Sequence, residues 1–287
     1  MNKNVLYLDL LKRCLVNTIY SDYEYFEIVP YYEHFEVMPY NKTKRFFFQK
    51  LFMPLLRKIL RKSNAKVIIP YNYDENKRTL GLDWPPMAHT MIGLKRLDNL
   101  QYCVEEVIKN NIPGDLIETG IWRGGATIFM RAILKAYGVT DRKVWVADSF
   151  EGLPKADEEK YPQDKGDMHH TNKYLAVSME QVKQNFQKYG LLDKQVYFLK
   201  GWFKDTLPNA PIQKLAVVRL DGDIYESTMD ALKNLYHKLS VGGFIIIDDY
   251  SLKGTKAAVA VHDFRKERGI NEEIIVIEGA GAYWQKL

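Results

Sequence analysis

The sequence predicts an α/β fold, built on a largely parallel β-sheet with crossover helices. Residues 95–287 alternate helical and strand patterns steadily, as chains built from βαβ units do. The strand-like runs are short and rich in Val, Ile and Leu, as expected for buried parallel strands. Residues 1–80 are instead aromatic, irregular and poor in glycine. We therefore expect a helical N-terminal lid or extension over residues 1–94 and a main domain over residues 95–287.

The periodicity predicts the elements in order. The predicted helices are Met1–Tyr20, Leu97–Ile108, Ala126–Tyr137, Tyr174–Tyr189, Ser227–Leu239 and Thr255–Arg268. The predicted crossover strands are Asp115–Glu118, Val144–Ala147, Val196–Leu199, Leu215–Leu220 and Phe244–Ile247. Ile274–Glu278 and Ala282–Gln285 should close the chain as two strands. Ser227 and Asp230 suit a capping arrangement at the start of their helix.

The composition restricts the class of protein. With 287 residues, 46% hydrophobic and 27% charged, the chain should be globular and soluble. No apolar run approaches the roughly 20 residues that a membrane span needs. Cys14 and Cys103 lack the spacing of metal or redox motifs, which fits a cytoplasmic protein.

The formal net charge of +5 is unevenly distributed. Residues 42–62 carry only basic charges, interleaved with apolar side chains, as in a basic amphipathic helix. We interpret its charged face as solvated. A surface for anionic lipid or for an anionic acceptor is the alternative. The aromatic N-terminal segment would also suit the interface of a homodimer.

Two aspartate pairs follow two of the predicted strands. Asp221-Gly222-Asp223 comes directly after Leu215–Leu220, and Asp248-Asp249 follows Phe244–Ile247. Ligands of open α/β sheets lie outside the carboxyl ends of the strands, so both pairs should meet at one edge. Carboxylates held close together repel one another unless a cation lies between them. The pattern therefore indicates a hard divalent metal ion, with helix caps or solvated acids as the alternative.

A glycine-containing loop separates the first main-domain strand from its helix. Its sequence, Glu118-Thr-Gly-Ile-Trp-Arg-Gly-Gly125, lacks the spacing of a dinucleotide fingerprint, and no P-loop Lys-Ser/Thr follows. The glycines let the backbone approach a ligand closely. Glu118 would repel a pyrophosphate but would hold an ammonium group. This favours S-adenosylmethionine over NAD.

Two further positions suit the adenosine part of that cofactor. Asp148 ends the second crossover strand, and a carboxylate there accepts hydrogen bonds from both ribose hydroxyls. Residues 149–152 would continue beneath the adenosine, and Trp202 offers a flat face for adenine. Taken singly, such residues are often structural, but their order along one sheet edge favours a cofactor.

Longer stretches of the sequence are distinctive, namely Tyr7–Tyr20, Asp83–Leu94, Gly114–Gly125, Val144–Pro154, Arg219–Ser227 and Gly242–Tyr250. These motifs resemble the macrocin O-methyltransferase (TylF-type) family, over roughly residues 5–20 and 80–287. The resemblance implies a Rossmann-like, seven-stranded class I methyltransferase sheet whose last strand runs antiparallel. It also implies Mg²⁺- and S-adenosylmethionine-dependent methylation of a sugar hydroxyl on a natural product or glycan.

The resemblance also implies roles for individual residues. Asp221, Asp248 and Asp249 would be the metal ligands, and Asp223 would be the general base that takes the acceptor proton. Thr90 and Met91, on the N-terminal lid, would close over the methionine end of the cofactor. The remaining cofactor contacts would be Glu118, Thr119, Gly120, Ile121, Trp122, Asp148, Ser149, Phe150, Glu151, Gly152, Trp202, Arg219 and Leu220.

Alternative functions and roles remain at this point. A catechol-type diol would use the same metal chemistry, and a non-catalytic binding protein would keep the fold without turnover. A nucleic-acid partner is not expected, because the acids beside the methyl site would repel phosphates. The alternative for Asp223 is a helix N-cap or a first-turn acid ahead of Ser227. The other candidate bases are His169, His170, His89 and His262. A solvated or gating role is favoured for His169 and His170, and a structural role for His262.

Overall fold

A seven-stranded mixed sheet forms the centre of the molecule. The computed structural model describes residues 3–20, 23–26, 67–70, 73–252 and 255–287. The predicted basic helix over residues 42–62 therefore lies outside the described residues. Within the described ranges, no helix is long and apolar enough to cross a membrane.

Nine strands are described, and seven of them form the main sheet. They are β1 (Tyr23–Phe26), β2 (Val67–Pro70), β3 (Asp115–Thr119), β4 (Val144–Asp148), β5 (Val196–Lys200), β6 (Leu215–Leu220), β7 (Leu239–Ile247), β8 (Ile275–Val276) and β9 (Ala282–Gln285). The order in the main sheet is β5-β4-β3-β6-β7-β9-β8. The first five strands of that order are parallel, and β9 runs antiparallel to both β7 and β8. This confirms the predicted seven-stranded α/β fold. The antiparallel pair of β1 and β2 was not predicted.

Eight α-helices are described. They are α1 (Lys3–Leu15), α2 (Glu75–Leu80), α3 (Gly93–Lys109), α4 (Gly125–Ala136), α5 (Met179–Lys188), α6 (Phe203–Thr206), α7 (Tyr225–Leu235) and α8 (Ala257–Arg268). Short 3₁₀ turns lie at Pro162–Asp164, His169–Thr171, Lys173–Leu175 and Tyr236–Lys238.

The pleat of the parallel strands divides the core into two layers. Along β4, Val144 and Val146 join one hydrophobic cluster, while Trp145 and Ala147 join the other. This alternation follows from the period of two along a strand. Helices α1, α3, α4 and α5 cover the first layer, whereas α7 and α8 cover the second. Strands β3, β4 and β6 and the Phe244–Ile247 part of β7 are therefore buried on both faces, as the sequence predicts, whereas the edge strand β5 is only partly buried.

The boundaries of the predicted helices shift in the structure; the first helix, predicted at Met1–Tyr20, spans Lys3–Leu15, and two other shifts have a clear cause. The helix predicted from Tyr174 begins at Met179, because the Ser178 side chain accepts a hydrogen bond from the Gln181 amide and caps it there. The helix predicted at Ser227–Leu239 instead spans Tyr225–Leu235, and Leu239 already belongs to β7. Hydrophobic residues suit both a helix and a buried strand, so periodicity alone did not locate this junction.

His89 links the segment before α3 to the end of α5. Its Nδ1 lies 2.7 Å from the Tyr189 hydroxyl, and its backbone accepts from Gly125 N–H. Burial, with Lys188 and Arg123 nearby, lowers the pKa of His89 to about 4. The neutral imidazole is therefore the form that the fold stabilises.

This pKa predicts a loss of stability in mild acid. An unfolded histidine gains its proton near its ordinary pKa of 6.5, whereas native His89 resists until about pH 4. The free energy of unfolding should fall between those pH values, by up to about 3 kcal/mol from this residue. Urea unfolding of wild type and His89→Gln across this range should show a shallower pH dependence in the variant. Equal slopes would contradict the assignment.

Candidate active site

A cleft of about 750 Å³ opens at the carboxyl edge of the parallel strands. The predicted cofactor and acid residues that line it are Met91, Gly120, Ile121, Trp122, Asp148, Ser149, Gly152, Trp202, Asp221 and Asp223. Wall residues that were not predicted include Leu153, Pro154, Leu175, Phe203, Lys204, Glu226, Ser227 and Asp230. The location agrees with the general rule for ligands of open α/β sheets.

The glycine loop after β3 packs directly on the loop after β6. Gly120 has φ 84°, and a Cβ added there would lie 1.7 Å from the carbonyl oxygen of Asp221. A side chain at this position would therefore both strain the backbone and separate the two loops. Because Gly120 has no side chain, the glycine loop can pack against the first aspartate pair, Asp221-Gly222-Asp223.

Asp148 holds the glycine loop and its own loop together. Its Oδ2 accepts from the Ile121 amide at 2.6 Å, and its Oδ1 accepts from the Phe150 amide at 2.6 Å. Burial raises the pKa of Asp148, while these amide hydrogen bonds oppose that rise. Each carboxylate oxygen retains a further acceptor position for a ligand.

The acids after β6 and β7 converge at one side of the cleft. Asp221, Asp223 and Asp249 each place one carboxylate oxygen within 4.8 Å of the others. Burial, followed by the charge of Asp248, raises the pKa of Asp221 well above its ordinary value. Burial and Asp221 raise the pKa of Asp223 to about 7, while a hydrogen bond with Asp249 opposes this rise. The mutual repulsion of these acids is what a bound cation would relieve.

Asp248 lies between two arginine side chains. Arg219 donates to its Oδ1, and Arg96 donates to its Oδ2 at 2.5 Å. Arg219 also donates to Glu118 and, at 3.0 Å, to Asp221. The two guanidinium groups therefore compensate part of the negative charge below the cleft. The structure thus brings Asp223, rather than Asp248, together with Asp221 and Asp249.

Glu118 fits the predicted contact to an ammonium group. Its Oε2 is buried and has no hydrogen-bond partner among the described residues. Burial raises the pKa of Glu118 to about 8, against the opposing charge of Arg219. A cationic ligand beside Oε2 would supply the missing partner and favour the ionised carboxylate.

The remaining predicted contact residues do not line the cleft. Phe150 packs on Phe198 in the core, with ring centroids 6.2 Å apart, and Leu220 belongs to the second hydrophobic cluster. Glu151 is exposed, whereas Thr90 and Thr119 are buried. The other four, which lie in the ion network below the cleft or in the acid cluster, are Glu118, Arg219, Asp248 and Asp249.

Three non-glycine residues with unusual backbone conformations lie at the same carboxyl edge of the sheet. Trp122, Phe150 and Asp223 have φ of 48°, 60° and 55°, in the left-handed region that non-glycine residues seldom adopt. These residues lie in the loops after β3, β4 and β6. Such strained conformations concentrate at ligand sites, where surrounding contacts maintain them.

Asp164 has a structural role, at the start of α7, that the sequence does not reveal. It is fully buried and accepts from the backbone amides of Tyr225, at 2.7 Å, and Glu226, at 2.9 Å. It therefore satisfies the N-terminus of α7, where Ile224 provides no side-chain cap. The predicted capping of this helix by Ser227 and Asp230 is wrong, since the cap comes from a loop about 60 residues earlier.

Replacing Asp164 with Ala should destabilise the protein by about 2 kcal/mol, because two helix-terminal amides lose their acceptor. The exposed Asp157, whose Oδ1 accepts from the Lys160 amide in the same loop, provides the control. Asp157→Ala should change stability by no more than about 0.5 kcal/mol. Urea unfolding measures both, and equal losses would show that Asp164 is not the anchor.

The two histidines of this loop lie outside the cleft lining. His169 Nδ1 lies 2.6 Å from Asp167, while Nδ1 of His170 is buried without a hydrogen-bond partner among the described residues.

The sheet order, the cleft and its glycine loop are those of class I S-adenosylmethionine-dependent methyltransferases. The solved structure of the O-methyltransferase NovP covers 99% of both chains, with a TM-score of 0.79 and 47% sequence identity. A calicheamicin methyltransferase, CalS11, shares the fold with a TM-score of 0.55 and 18% identity, over 81% of this chain and 90% of that one. This fold implies S-adenosylmethionine as the methyl donor.

The chain belongs to the macrocin O-methyltransferase (TylF) family, whose profile matches residues 4–286. It is 45% identical to the mycinamicin III 3″-O-methyltransferase of Micromonospora griseorubida, over 98% of this chain and 96% of that protein. It is 59% identical to the 8-demethyl-8-(2,3-dimethoxy-α-L-rhamnosyl)-tetracenomycin-C 4′-O-methyltransferase of Streptomyces olivaceus, over 74% of this chain and 81% of that protein. The protein is an O-methyltransferase.

Proposed function

We propose that this enzyme transfers a methyl group from S-adenosylmethionine to a sugar hydroxyl of a natural-product glycoside, with Mg²⁺ as a second cofactor. The convergence of three carboxylates within 4.8 Å beside the cleft is the observation that carries the metal requirement. The relative that acts on a rhamnosyl tetracenomycin at the 4′ oxygen supports a glycosidic acceptor.

We further propose Asp221, Asp248 and Asp249 as the Mg²⁺ ligands, with Asp223 as the general base. All four follow β6 or β7, and their oxygen donors suit a hard divalent cation. Asp248 is engaged by two arginines, but a carboxylate has acceptor positions beyond those two hydrogen bonds. The set Asp221, Asp223 and Asp249 is the alternative, favoured by the distances between their oxygens.

Methyl transfer breaks the sulfonium S–C bond and forms a C–O bond, so the acceptor hydroxyl must lose its proton. Mg²⁺, when bound, lowers the pKa of a coordinated hydroxyl. Asp223 accepts that proton, since it lines the cleft directly beside the proposed metal ligand Asp221. Glu118 would hold the ammonium group of the donor, Met91 would lie over its methionine end, and Trp202 would form a wall beside its adenine. The enzyme otherwise acts by orienting the two reactants.

The acceptor class can be tested by turnover. The protein should release S-adenosylhomocysteine when given S-adenosylmethionine, Mg²⁺ and glycosides that bear an unmethylated 6-deoxyhexose such as rhamnose. The same glycoside, already methylated at the reacting oxygen, serves as the control and should give none. A protein that binds S-adenosylmethionine but methylates no glycoside, while methylating a catechol, would overturn the sugar assignment.

A further inference from the structure

Arg96 is a buried cation on the otherwise apolar inner face of α3. Its side chain is 4% exposed and lies beside Leu97 and Leu100, both of which are fully buried. A charged side chain is expensive to bury unless every part of it is partnered. The contacts of Arg96 must therefore compensate for the cost of burying its charge.

The guanidinium of Arg96 joins two separate parts of the site. On one side Nη1 donates to Asp248 at 2.5 Å. On the other, Nε donates to the Ile92 carbonyl at 2.8 Å, and Nη2 donates to the Gly81 carbonyl at 2.8 Å and to the Met91 carbonyl at 3.4 Å. The fork thus connects the backbone of residues 81–92 to the end of β7.

One connected part lines the cleft, and the other lies next to the acid cluster beside the cleft. Met91 lines the cleft, and Asp248 immediately precedes Asp249 of the carboxylate cluster.

Lysine cannot reproduce this connection, because its ammonium is a single point whereas the planar guanidinium presents donors in several fixed directions.

The charge of Arg96 has a second consequence. Asp248 receives one guanidinium from Arg219 and another from Arg96, and Arg219 also faces Glu118 and Asp221. Two arginines therefore offset part of the charge of five neighbouring carboxylates, Glu118, Asp221, Asp223, Asp248 and Asp249. Removing Arg96 would make the cluster more negative and more attractive to a divalent cation.

We propose that Arg96 is a positioning residue that fixes the Met91 wall of the cleft against the acid cluster, while its charge limits the affinity of that cluster for a divalent cation. The inference rests on the proposed donor and metal sites. It predicts that loss of Arg96 changes the affinities for the two cofactors in opposite directions, which a general loss of stability would not do.

Calorimetric titrations of folded protein with S-adenosylmethionine alone and with MgCl₂ alone test this prediction. Arg96→Met should bind S-adenosylmethionine about tenfold more weakly and Mg²⁺ about threefold to tenfold more tightly. Arg96→Lys keeps the charge but not the fork, so it should lose donor affinity while its Mg²⁺ affinity stays within about twofold of wild type. If Arg96→Met does not fold, the two affinities of Arg96→Lys decide the question.

Arg131→Met provides the matched control. Arg131 is comparably buried, at 5% exposed, but it pairs with Asp193 before β5, at the opposite edge of the sheet. Its loss should lower stability and leave both affinities unchanged. A parallel fall of both affinities in Arg96→Met, or unchanged donor affinity in Arg96→Lys, would overturn the inference. Wild-type protein that binds neither ligand would instead overturn the proposed function.

Discussion

Replacing Asp223 with Asn should lower kcat by about 10²–10⁴-fold, while S-adenosylmethionine affinity stays close to that of wild type and Mg²⁺ affinity falls only by the roughly threefold to tenfold expected for the loss of one neighbouring charge. Asparagine keeps the size of the side chain but cannot accept the acceptor proton. The loss should therefore appear in turnover rather than in binding, as steady-state kinetics and calorimetry would show.

The control for this variant is Asp230→Asn, since Asp230 also lines the cleft but lies within α7, away from the three converging acids. It should retain most of its turnover. If Asp223→Asn instead loses Mg²⁺ affinity by about 100-fold or more, beyond the effect of one neighbouring charge, then Asp223 is a metal ligand, as the oxygen distances would allow. Near-normal turnover would remove it from the mechanism altogether.

The second large effect is expected at Gly120. Gly120→Ala should destabilise the protein by roughly 3 kcal/mol or more and abolish measurable S-adenosylmethionine binding. The reason is that the new Cβ would lie 1.7 Å from the Asp221 carbonyl oxygen, so the glycine loop must move away from the acid cluster. Urea unfolding and calorimetry measure the two losses separately.

Gly138→Ala isolates the contact from the backbone strain. Gly138 has φ 67°, close to the 84° of Gly120, but a Cβ there would meet nothing within 4 Å. This substitution should cost only about 1 kcal/mol, the strain of a left-handed alanine, and should leave donor binding intact. Similar costs at both glycines would show that the close approach of the two loops is unimportant.

The parts of the site that the sequence predicted are those that follow directly from the strands. Leu215–Leu220 and Phe244–Ile247 were recognisable from their apolar residues, and the parallel arrangement placed the acids after them at one edge. The prediction of the glycine loop was equally local, because Gly120 directly follows β3 and Asp148 is the last residue of β4. These inferences needed only the period of the strand and the topology of the fold.

The missed features depend on contacts between distant residues. Arg96 and Asp248 are 152 positions apart, and no sequence pattern pairs them. The single signal was a basic residue directly before the apolar face of the predicted helix Leu97–Ile108. Asp164 caps α7 from a loop of 3₁₀ turns that periodicity does not reveal. Arg96 and Arg219 both bind Asp248, and the acids that converge are Asp221, Asp223 and Asp249. The set of metal ligands could therefore not be derived from sequence spacing alone.

Two predictions about how the chain is organised remain predictions. They are the division of the chain at residue 94 into an N-terminal extension and a main domain, and the basic helix over residues 42–62. The packing of Leu8, Leu11 and Leu15 of α1 into the same core layer as α3 and α4 bears on the first, because it joins the start of the chain to the main sheet.

Metal removal tests the central claim most directly. A glycoside that the enzyme methylates should be assayed for S-adenosylhomocysteine release after dialysis against EDTA, and again after Mg²⁺ is restored. The metal site proposed at Asp221 and its neighbours predicts that turnover is lost and then recovered, and that Asp221→Asn recovers little of it. Full turnover in excess EDTA, with donor binding intact, would contradict the claim.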